Sequence, residues 1–193
     1  MPLLHRSCWV FDMDGTLTVP VHDFDAIRAA LGLREGHPIL EELAAMPVEQ
    51  AAPLRAKLAE IELDLARGAR AWPAAAGLLE SLGARGAKVG ILTRNRSDLA
   101  RVTLEAAGLD SYFRPVDVLG RDDAEPKPSP EGIQKLMNSW GGQPHDTVMV
   151  GDYVFDLMAG RAAGAATVLV NRRGVRAWDG WADRVIQSLD ELL

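Results

Sequence analysis

Two aspartates near the start of the chain could act together in acid-base chemistry or metal binding. An apolar run from Cys8 to Phe11 stops at Asp12, and Asp14 follows two residues later, directly before Gly15. On an extended backbone, side chains two residues apart point to the same face, and glycine permits the turn that must follow. Two carboxylates on one face repel each other unless a cation lies between them. This stretch alone is as compatible with a strand that ends in a polar turn as with a site, so later segments must decide.

Polar residues also follow three later segments that are predicted to be strands, over 88–93, 116–119 and 147–150. These polar residues are Thr93, Arg94, Asn95, Lys127, Asp152 and Asp156. In open α/β sheets, ligands bind beyond the carboxyl ends of the strands, near the point where the strand order reverses. Four strand ends that supply carboxylates, a hydroxyl group and a lysine are hard to explain by solvation alone.

The elements that would position these residues alternate regularly between helix and strand after residue 72. Helices are predicted over 73–82, over 97–107 with Ser97 as the N-cap, from Pro130 onwards and over 157–163. A final strand is predicted over 167–170 and a last helix over 182–193. Such alternation predicts an α/β fold with a Rossmann-like, doubly wound parallel sheet that is covered on both faces.

The segment 19–71 interrupts this alternation and has only helical signals. Asp23 is a candidate N-cap for a helix that stops at Gly32, and a second short helix is predicted over 39–45. Pro53 is predicted to lie in the first turn of an amphipathic helix that ends at Gly68. We therefore expect an α/β core of residues 1–18 and 72–193 with a small helical cap inserted at 19–71.

Composition excludes several classes of protein. The chain has 193 residues, 48% of them hydrophobic, with a net charge of −6 and no cluster of Lys and Arg along one face, which argues against nucleic-acid binding. The apolar runs are much shorter than the roughly 20 residues that cross a bilayer. The single cysteine, Cys8, cannot form an internal disulfide and is consistent with a reducing compartment. We expect a cytoplasmic protein with no membrane partner, while the choice between monomer and dimer stays open.

The predicted cluster suits a hard divalent cation and a phosphate group. Mg²⁺ prefers a few carboxylate ligands together with water and substrate oxygens. The expected ligands are the Asp12 carboxylate, the backbone carbonyl of Asp14, and Asp152, with Asp156 either in contact with the metal or supporting its ligands. Lys127 would balance the remaining negative charge. Thr93 and the N–H groups that open the following helix would hold phosphate oxygens.

Four segments together resemble the four motifs of the haloacid dehalogenase superfamily in order, spacing and context. They are FDMDGT at 11–16, ILTRN at 91–95, EPKPSP at 125–130 and GDYVFD at 151–156. The resemblance covers the chain apart from the helical block. It implies a Mg²⁺-dependent hydrolase that forms an aspartyl-phosphate intermediate.

The resemblance also implies a role for each matching residue. Asp12 matches the nucleophile, and Asp14 matches the general acid/base, which the dehalogenases of the superfamily lack. Thr93 and Lys127 match the phosphate-binding pair, and Arg94 and Asn95 are further candidates for substrate contact. The acidic pair that completes the metal site is matched by Asp152 and Asp156.

The expected function is hydrolysis of a small phosphorylated metabolite. Within the superfamily the chain resembles the phosphoglycolate-phosphatase and phosphoglucomutase branch, whose helical cap follows the first motif, although this cap is short. A phosphosugar mutase of the same superfamily is an open alternative. A non-catalytic phosphoacceptor module of the receiver type is another, but there the acceptor aspartate ends a middle strand of the chain and no cap follows it.

Other candidate residues have plainer explanations. Lys57 could be compared with the cap lysine of related phosphonate-cleaving enzymes, but it lies off the apolar stripe of its helix and is predicted to be a solvated surface lysine. Trp72, Trp178 and Trp181 are expected to pack at the cap junction and at the C-terminal edge of the fold.

Overall fold

The fold is built on a six-stranded parallel sheet. The computed structural model describes residues 3–21, 23–172, 174 and 176–193. The strands are β1 (Cys8–Phe11), β2 (Lys88–Leu92), β3 (Val118–Leu119), β4 (Thr147–Gly151), β5 (Ala166–Val170) and β6 (Arg184–Ile186). Their order across the sheet is β3-β2-β1-β4-β5-β6, and every pair is parallel. The strand order reverses between β1 and β4, so the carboxyl end of β1 lies where a ligand site is expected.

Helices cover both faces of this sheet. The α-helices are α1 (Phe24–Leu31), α2 (Ile39–Ala45), α3 (Val48–Arg67), α4 (Ala75–Ala84), α5 (Ser97–Ala106), α6 (Glu131–Trp140) and α7 (Val154–Ala162). Trp9 and Phe11 of β1 pack into one apolar cluster with α4 and α5, whereas Val10 packs into another with α6 and α7. This alternation within one fully buried strand confirms the predicted doubly wound α/β fold.

The helices α1, α2 and α3 surround an apolar cluster of their own. Its buried members are Ile27, Leu31, Ile39, Leu43 and Leu58. Asp23 caps α1 as predicted, because its side chain accepts hydrogen bonds from the backbone of Asp25 and Ala26, and Gly32 ends the helix in a left-handed conformation. The bounds predicted for α2 are also confirmed.

Two chain segments join these three helices to the sheet. Thr18 and Ala71 form an antiparallel bridge, and the backbone N–H of Val19 donates to the carbonyl of Arg70 at 2.9 Å. The incoming and outgoing segments are therefore paired side by side. In addition, α3 packs against α5, and Arg121 Nη1 lies 4.0 Å from Glu62 Oε1 of α3.

The predicted C-terminal helix over 182–193 is wrong. Residues Arg184–Ile186 form β6 beside β5, and a 3₁₀ turn follows at Leu189–Leu192. The strand predicted over 167–170 is confirmed as β5 but is not the final strand. A three-residue edge strand is too short to show an alternating pattern, and the spacing of Leu189 and Leu192, both buried against the core, resembles a helical one.

Several predicted helix starts are also wrong. Helix α3 begins at Val48, directly after Pro47, so Pro53 lies inside the helix instead of in its first turn. Ser97 is the first residue of α5, and its N-cap is Arg96, which makes no side-chain capping hydrogen bond. Helices α4 and α7 are each shifted by two or three residues from their predicted starts. Among the described residues, no helix has the length and apolarity needed to cross a membrane.

Candidate active site

The carboxyl end of β1 places Asp12 in the middle of the sheet edge. Asp12 directly follows β1, which pairs with β2 on one side and β4 on the other. The backbone N–H of Asp12 donates to the carbonyl of Val150 at 2.8 Å, so the backbone stays in register with β4 at this point. Asp12 is buried, and its carboxylate lies close to those of Asp152 and Asp156, which follow β4.

Lys127 joins Asp12 to Asp156. Its Nζ lies 2.6 Å from Asp12 Oδ1 and 2.6 Å from Asp156 Oδ1, and its side chain is only 3% exposed. Burial alone would lower the pKa of Lys127, but the charges and hydrogen bonds of the two carboxylates outweigh that effect and raise it. The lysine is therefore a fixed positive charge between two buried aspartates.

Three carboxylates converge close enough to share a cation. Asp12, Asp152 and Asp156 each offer an oxygen, and these oxygens lie within 4.8 Å of one another. Asp156 already binds Lys127 through Oδ1 and accepts from the backbone N–H of Tyr153 through Oδ2 at 3.0 Å. Burial raises the pKa of Asp152 to about 7, and the charges of Asp12 and Asp156 add to the rise. Such crowding of hard oxygen donors fits a divalent cation such as Mg²⁺.

Gly15 lets the loop after β1 pass directly beneath Asp152. Its φ is +92°, and a Cβ atom at this position would collide with the Asp152 carboxylate. Both the backbone conformation and the close approach exclude other residues here without a shift of the loop or the carboxylate. The glycine after Asp14 is thus a condition for bringing the ends of β1 and β4 together.

Asp14 lies on the same loop and is partly buried. The Thr18 hydroxyl donates to the carbonyl of Met13 at 3.2 Å and lies 3.4 Å from Asp14 Oδ1. Burial raises the pKa of Asp14 to about 7, and the charge of Asp12 adds to the rise, while the contact with Thr18 and the charge of Lys127 oppose it. A carboxyl group with such a pKa can both give and take a proton near neutral pH.

Thr93 and Asn95 form a turn at the end of β2. Thr93 is buried, and its Oγ1 accepts a hydrogen bond from the backbone N–H of Asn95 at 3.1 Å. Because that bond uses an acceptor site of the oxygen, the hydroxyl proton can be donated elsewhere. The backbone carbonyl of Asn95 accepts a hydrogen bond from the backbone N–H of Arg121 at 2.8 Å, which ties this turn to the loop after β3.

Arg172 is a site residue that the sequence prediction missed. Its Nη1 donates to the carbonyl of Gly15 at 2.6 Å and its Nη2 to that of Thr16 at 3.3 Å. The guanidinium also lies 4.3 Å from the centre of the Trp72 ring, and its charge interacts with Asp152. Arg172 follows β5 and is far in sequence from the loop it holds, and no motif or periodicity signals that contact.

The remaining candidates lie at the rim or away from the cluster. Arg94 is exposed, with its guanidinium carbon 5.7 Å from the centre of the Phe155 ring. Lys57 Nζ donates to the carbonyl of Ala30 at 2.7 Å, so it is bound within the three-helix segment. Lys57 is exposed, which agrees with its prediction as a surface lysine. Trp178 packs edge-on against Tyr153, the residue after Asp152.

The fold and the acidic cluster at the reversal of strand order define an enzyme of the doubly wound α/β class. The family model for haloacid dehalogenase-like hydrolases matches residues 35–170, a range that includes Thr93, Lys127, Asp152 and Asp156. The chain therefore belongs to the haloacid dehalogenase-like hydrolase family. Asp12 lies before the matched range.

Individual relatives agree with this assignment. A phosphoglycolate phosphatase of Rhodospirillum rubrum is 30% identical over 84% of this chain and 78% of its own length. A pyrophosphatase PpaX of Halalkalibacterium halodurans is 36% identical over 60% of this chain, which corresponds to 54% of that relative. The crystal structure of a hydrolase from Pseudomonas syringae aligns with a TM-score of 0.75 and 26% identity, covering 93% of this chain and 92% of that one.

Proposed function

We propose that the protein is a Mg²⁺-dependent phosphatase that hydrolyses a small phosphomonoester through an aspartyl-phosphate intermediate on Asp12. The observation that carries this proposal is the pairing of two differently placed carboxylates on one loop. Asp12 is paired with the buried cation Lys127, whereas burial and the charge of Asp12 raise the pKa of Asp14 to about 7. A nucleophile and a proton carrier need these two different environments. The phosphatases among the relatives support the same reaction class.

In the first step, Asp12 attacks the phosphorus atom. Lys127 holds Asp12 Oδ1, so we assign the attack to Oδ2. The bond between Oδ2 and phosphorus forms while the bond from phosphorus to the leaving oxygen breaks. Asp14, protonated at this stage, donates its proton to that leaving oxygen. Thr93 and Lys127 hold the phosphoryl oxygens, and Arg94 and Asn95 lie beside them at the end of β2.

In the second step, water replaces Asp12. Asp14, now a carboxylate, takes a proton from the water as its oxygen bonds to phosphorus. The bond between phosphorus and Asp12 Oδ2 breaks, which releases inorganic phosphate and restores Asp12. Asp14 is again protonated and ready for the next substrate. A labile acyl phosphate thus divides one difficult displacement into two easier ones.

The carboxylates of Asp12 and Asp152 and the backbone carbonyl of Asp14 would hold Mg²⁺. Asp156 has both oxygens engaged with Lys127 and Tyr153, so we assign it to supporting the other ligands. When bound, the cation neutralises negative charge on the phosphoryl oxygens. Burial and the neighbouring carboxylate charges raise the pKa values of Asp14 and Asp152, and a bound cation would oppose that rise.

We further propose that residues 19–71 form a cap on a core of residues 1–18 and 72–193. The separate apolar cluster of α1–α3 supports this division, as do the paired connections at Thr18 and Ala71. The contact of Arg121 with Glu62 ties α3 to the loop after β3, which in turn holds Asn95. A helical unit on two adjacent connections can close over the site and exclude bulk water.

Phosphate release from an aryl phosphate tests this proposal. The wild-type protein with Mg²⁺ should release phosphate, D12N should be inactive with an unchanged circular dichroism spectrum, and EDTA should abolish activity reversibly. Activity that persists in D12N would remove Asp12 as the nucleophile, and activity that survives thorough chelation would remove the metal. Free phosphate released from hexose phosphates without isomerisation would separate a phosphatase from a mutase.

A further inference from the structure

Arg94 and Phe155 meet across the end of the strand that carries Asp12. Arg94 follows β2, and Phe155 lies in the first turn of α7, which follows β4. Strand β1 lies between β2 and β4, so these two side chains span roughly 10 Å of sheet edge. Because the guanidinium carbon is 5.7 Å from the Phe155 ring centre, the contact bridges the position of Asp12.

An aromatic row continues this bridge along the same edge. The Phe155 ring contacts Tyr153 edge-on with ring centres 5.1 Å apart, and Tyr153 contacts Trp178 at 4.7 Å. Tyr153 is 46% exposed even though it directly follows Asp152. The row holds the ring of Phe155 in place, and that ring in turn orients the exposed guanidinium of Arg94.

The stereochemistry of phosphoryl transfer directs the leaving group towards this bridge. In an in-line displacement, the attacking and leaving oxygens lie on opposite sides of phosphorus. If Asp12 attacks from the end of β1, the leaving oxygen points away from the strand and towards the contact between Arg94 and Phe155. In that arrangement Arg94 would face the substrate's leaving group, whereas Thr93 and Lys127 would face its phosphoryl group.

We infer that Arg94 binds an anionic group on the leaving portion of the substrate and so selects small phosphoesters or phosphoanhydrides that carry a second negative charge. This inference rests on the proposed function. A planar guanidinium recognises carboxylate or phosphate through two parallel hydrogen bonds. The two named relatives are a phosphoglycolate phosphatase and a pyrophosphatase, and the leaving portions of both substrates carry an anionic group.

A pair of two-carbon esters isolates this contact. Phosphoglycolate carries a carboxylate on its leaving portion and ethyl phosphate does not, and kcat/KM is measured for both with Mg²⁺. The wild type is compared with R94Q and R94K. R96Q is the matched control, because Arg96 lies on the same loop and is paired with Asp98 at 2.5 Å. The difference in leaving-group chemistry between the two esters cancels when the ratio of their kcat/KM values is compared among variants.

The inference predicts that the wild type prefers phosphoglycolate. R94Q should lower kcat/KM for phosphoglycolate at least tenfold more than for ethyl phosphate, with R94K in between because it keeps the charge and loses the planar fork. R96Q should keep the wild-type ratio. Equal losses on both esters in R94Q, or a wild type with no preference, would overturn the inference while leaving the phosphatase proposal intact. No phosphate release from either ester or from an aryl phosphate would count against the phosphatase proposal itself.

Discussion

Replacing Lys127 by methionine removes the positive charge that joins Asp12 and Asp156. Lys127 Nζ lies 2.6 Å from an oxygen of each, and the lysine and Asp156 side chains are both 3% exposed. Removing one partner of a buried ion pair costs about 3–5 kcal/mol, because the remaining charge has no compensation. We expect K127M to lose about that much free energy of unfolding, which for a chain of this size lowers Tm by roughly 6–20 °C.

Urea unfolding in EDTA at about pH 7.5 measures this loss without interference from bound metal. Lys135 supplies a matched control, because its ion pair with Glu131 is close to half exposed on both sides. An exposed pair contributes about 0–1 kcal/mol, so K135M should be nearly as stable as the wild type. If K127M is no less stable than K135M, the buried lysine does not hold the carboxylate cluster together.

The pH dependence of the K127M deficit gives a second check. The pKa of Lys127 is raised above its ordinary value of 10.5, so its stabilisation is fully present below that pH and is lost only as pH rises through the higher folded-state value. The stabilisation that K127M loses with the lysine charge therefore does not change with pH near neutrality. Burial raises the pKa of Asp156 to about 6. In K127M, protonation of Asp156 relieves its repulsion with Asp12, and the deficit should shrink as pH falls towards about 5.

Three further outcomes follow from the site. G15A should weaken Mg²⁺ binding about 10–100-fold by displacing Asp152. The control is G141A: Gly141 also has a positive φ, of +65°, but a Cβ there would meet nothing within 4 Å, so this variant should show only the backbone strain. Equal Mg²⁺ titrations of the two variants would contradict this. R172K and R172A should lower kcat more than they raise KM in steady-state assays, with R172A the more damaged, because Arg172 fixes the loop that carries Asp14. In EDTA the free energy of unfolding should fall as pH rises from about 5 to 7, by up to about 1.4 kcal/mol per pH unit for each of the two carboxyl groups. The reason is that the pKa values of Asp14 and Asp152 are raised from 3.8 to about 7 in the folded protein. The stabilisation from their protonated forms is complete below pH 3.8 and is lost as pH rises through about 7. In urea titrations, D152N should flatten part of this slope.

The candidate site could be anticipated because its residues sit at strand ends. Asp12, Thr93 and Asp152 each directly follow a buried apolar run, and a parallel sheet brings such ends to one edge whatever the lengths of the connections. The alternation of strands and helices was equally readable after residue 72. Both features are patterns of neighbouring residues in the sequence, so they can be recognised before the fold is known.

Features that depend on contacts between distant segments could not be anticipated. Strand β6 has three residues and exists because β5 offers it an edge. Arg172 acquires its role only when the end of β5 meets the carbonyls of Gly15 and Thr16. Trp178 was expected to pack at the C-terminal edge, and only the fold shows that its packing partner is Tyr153, next to Asp152.

The most direct test of the proposed chemistry is to locate the phosphoryl group during turnover. D14N, which lacks the group that activates water, is mixed with an aryl phosphate and Mg²⁺, quenched in acid and digested for mass spectrometry. The account predicts a phosphoryl group on the peptide that contains Asp12, absent when D12N is treated in the same way. A phosphoryl group on another residue, or phosphate release from D12N at the wild-type rate, would contradict it.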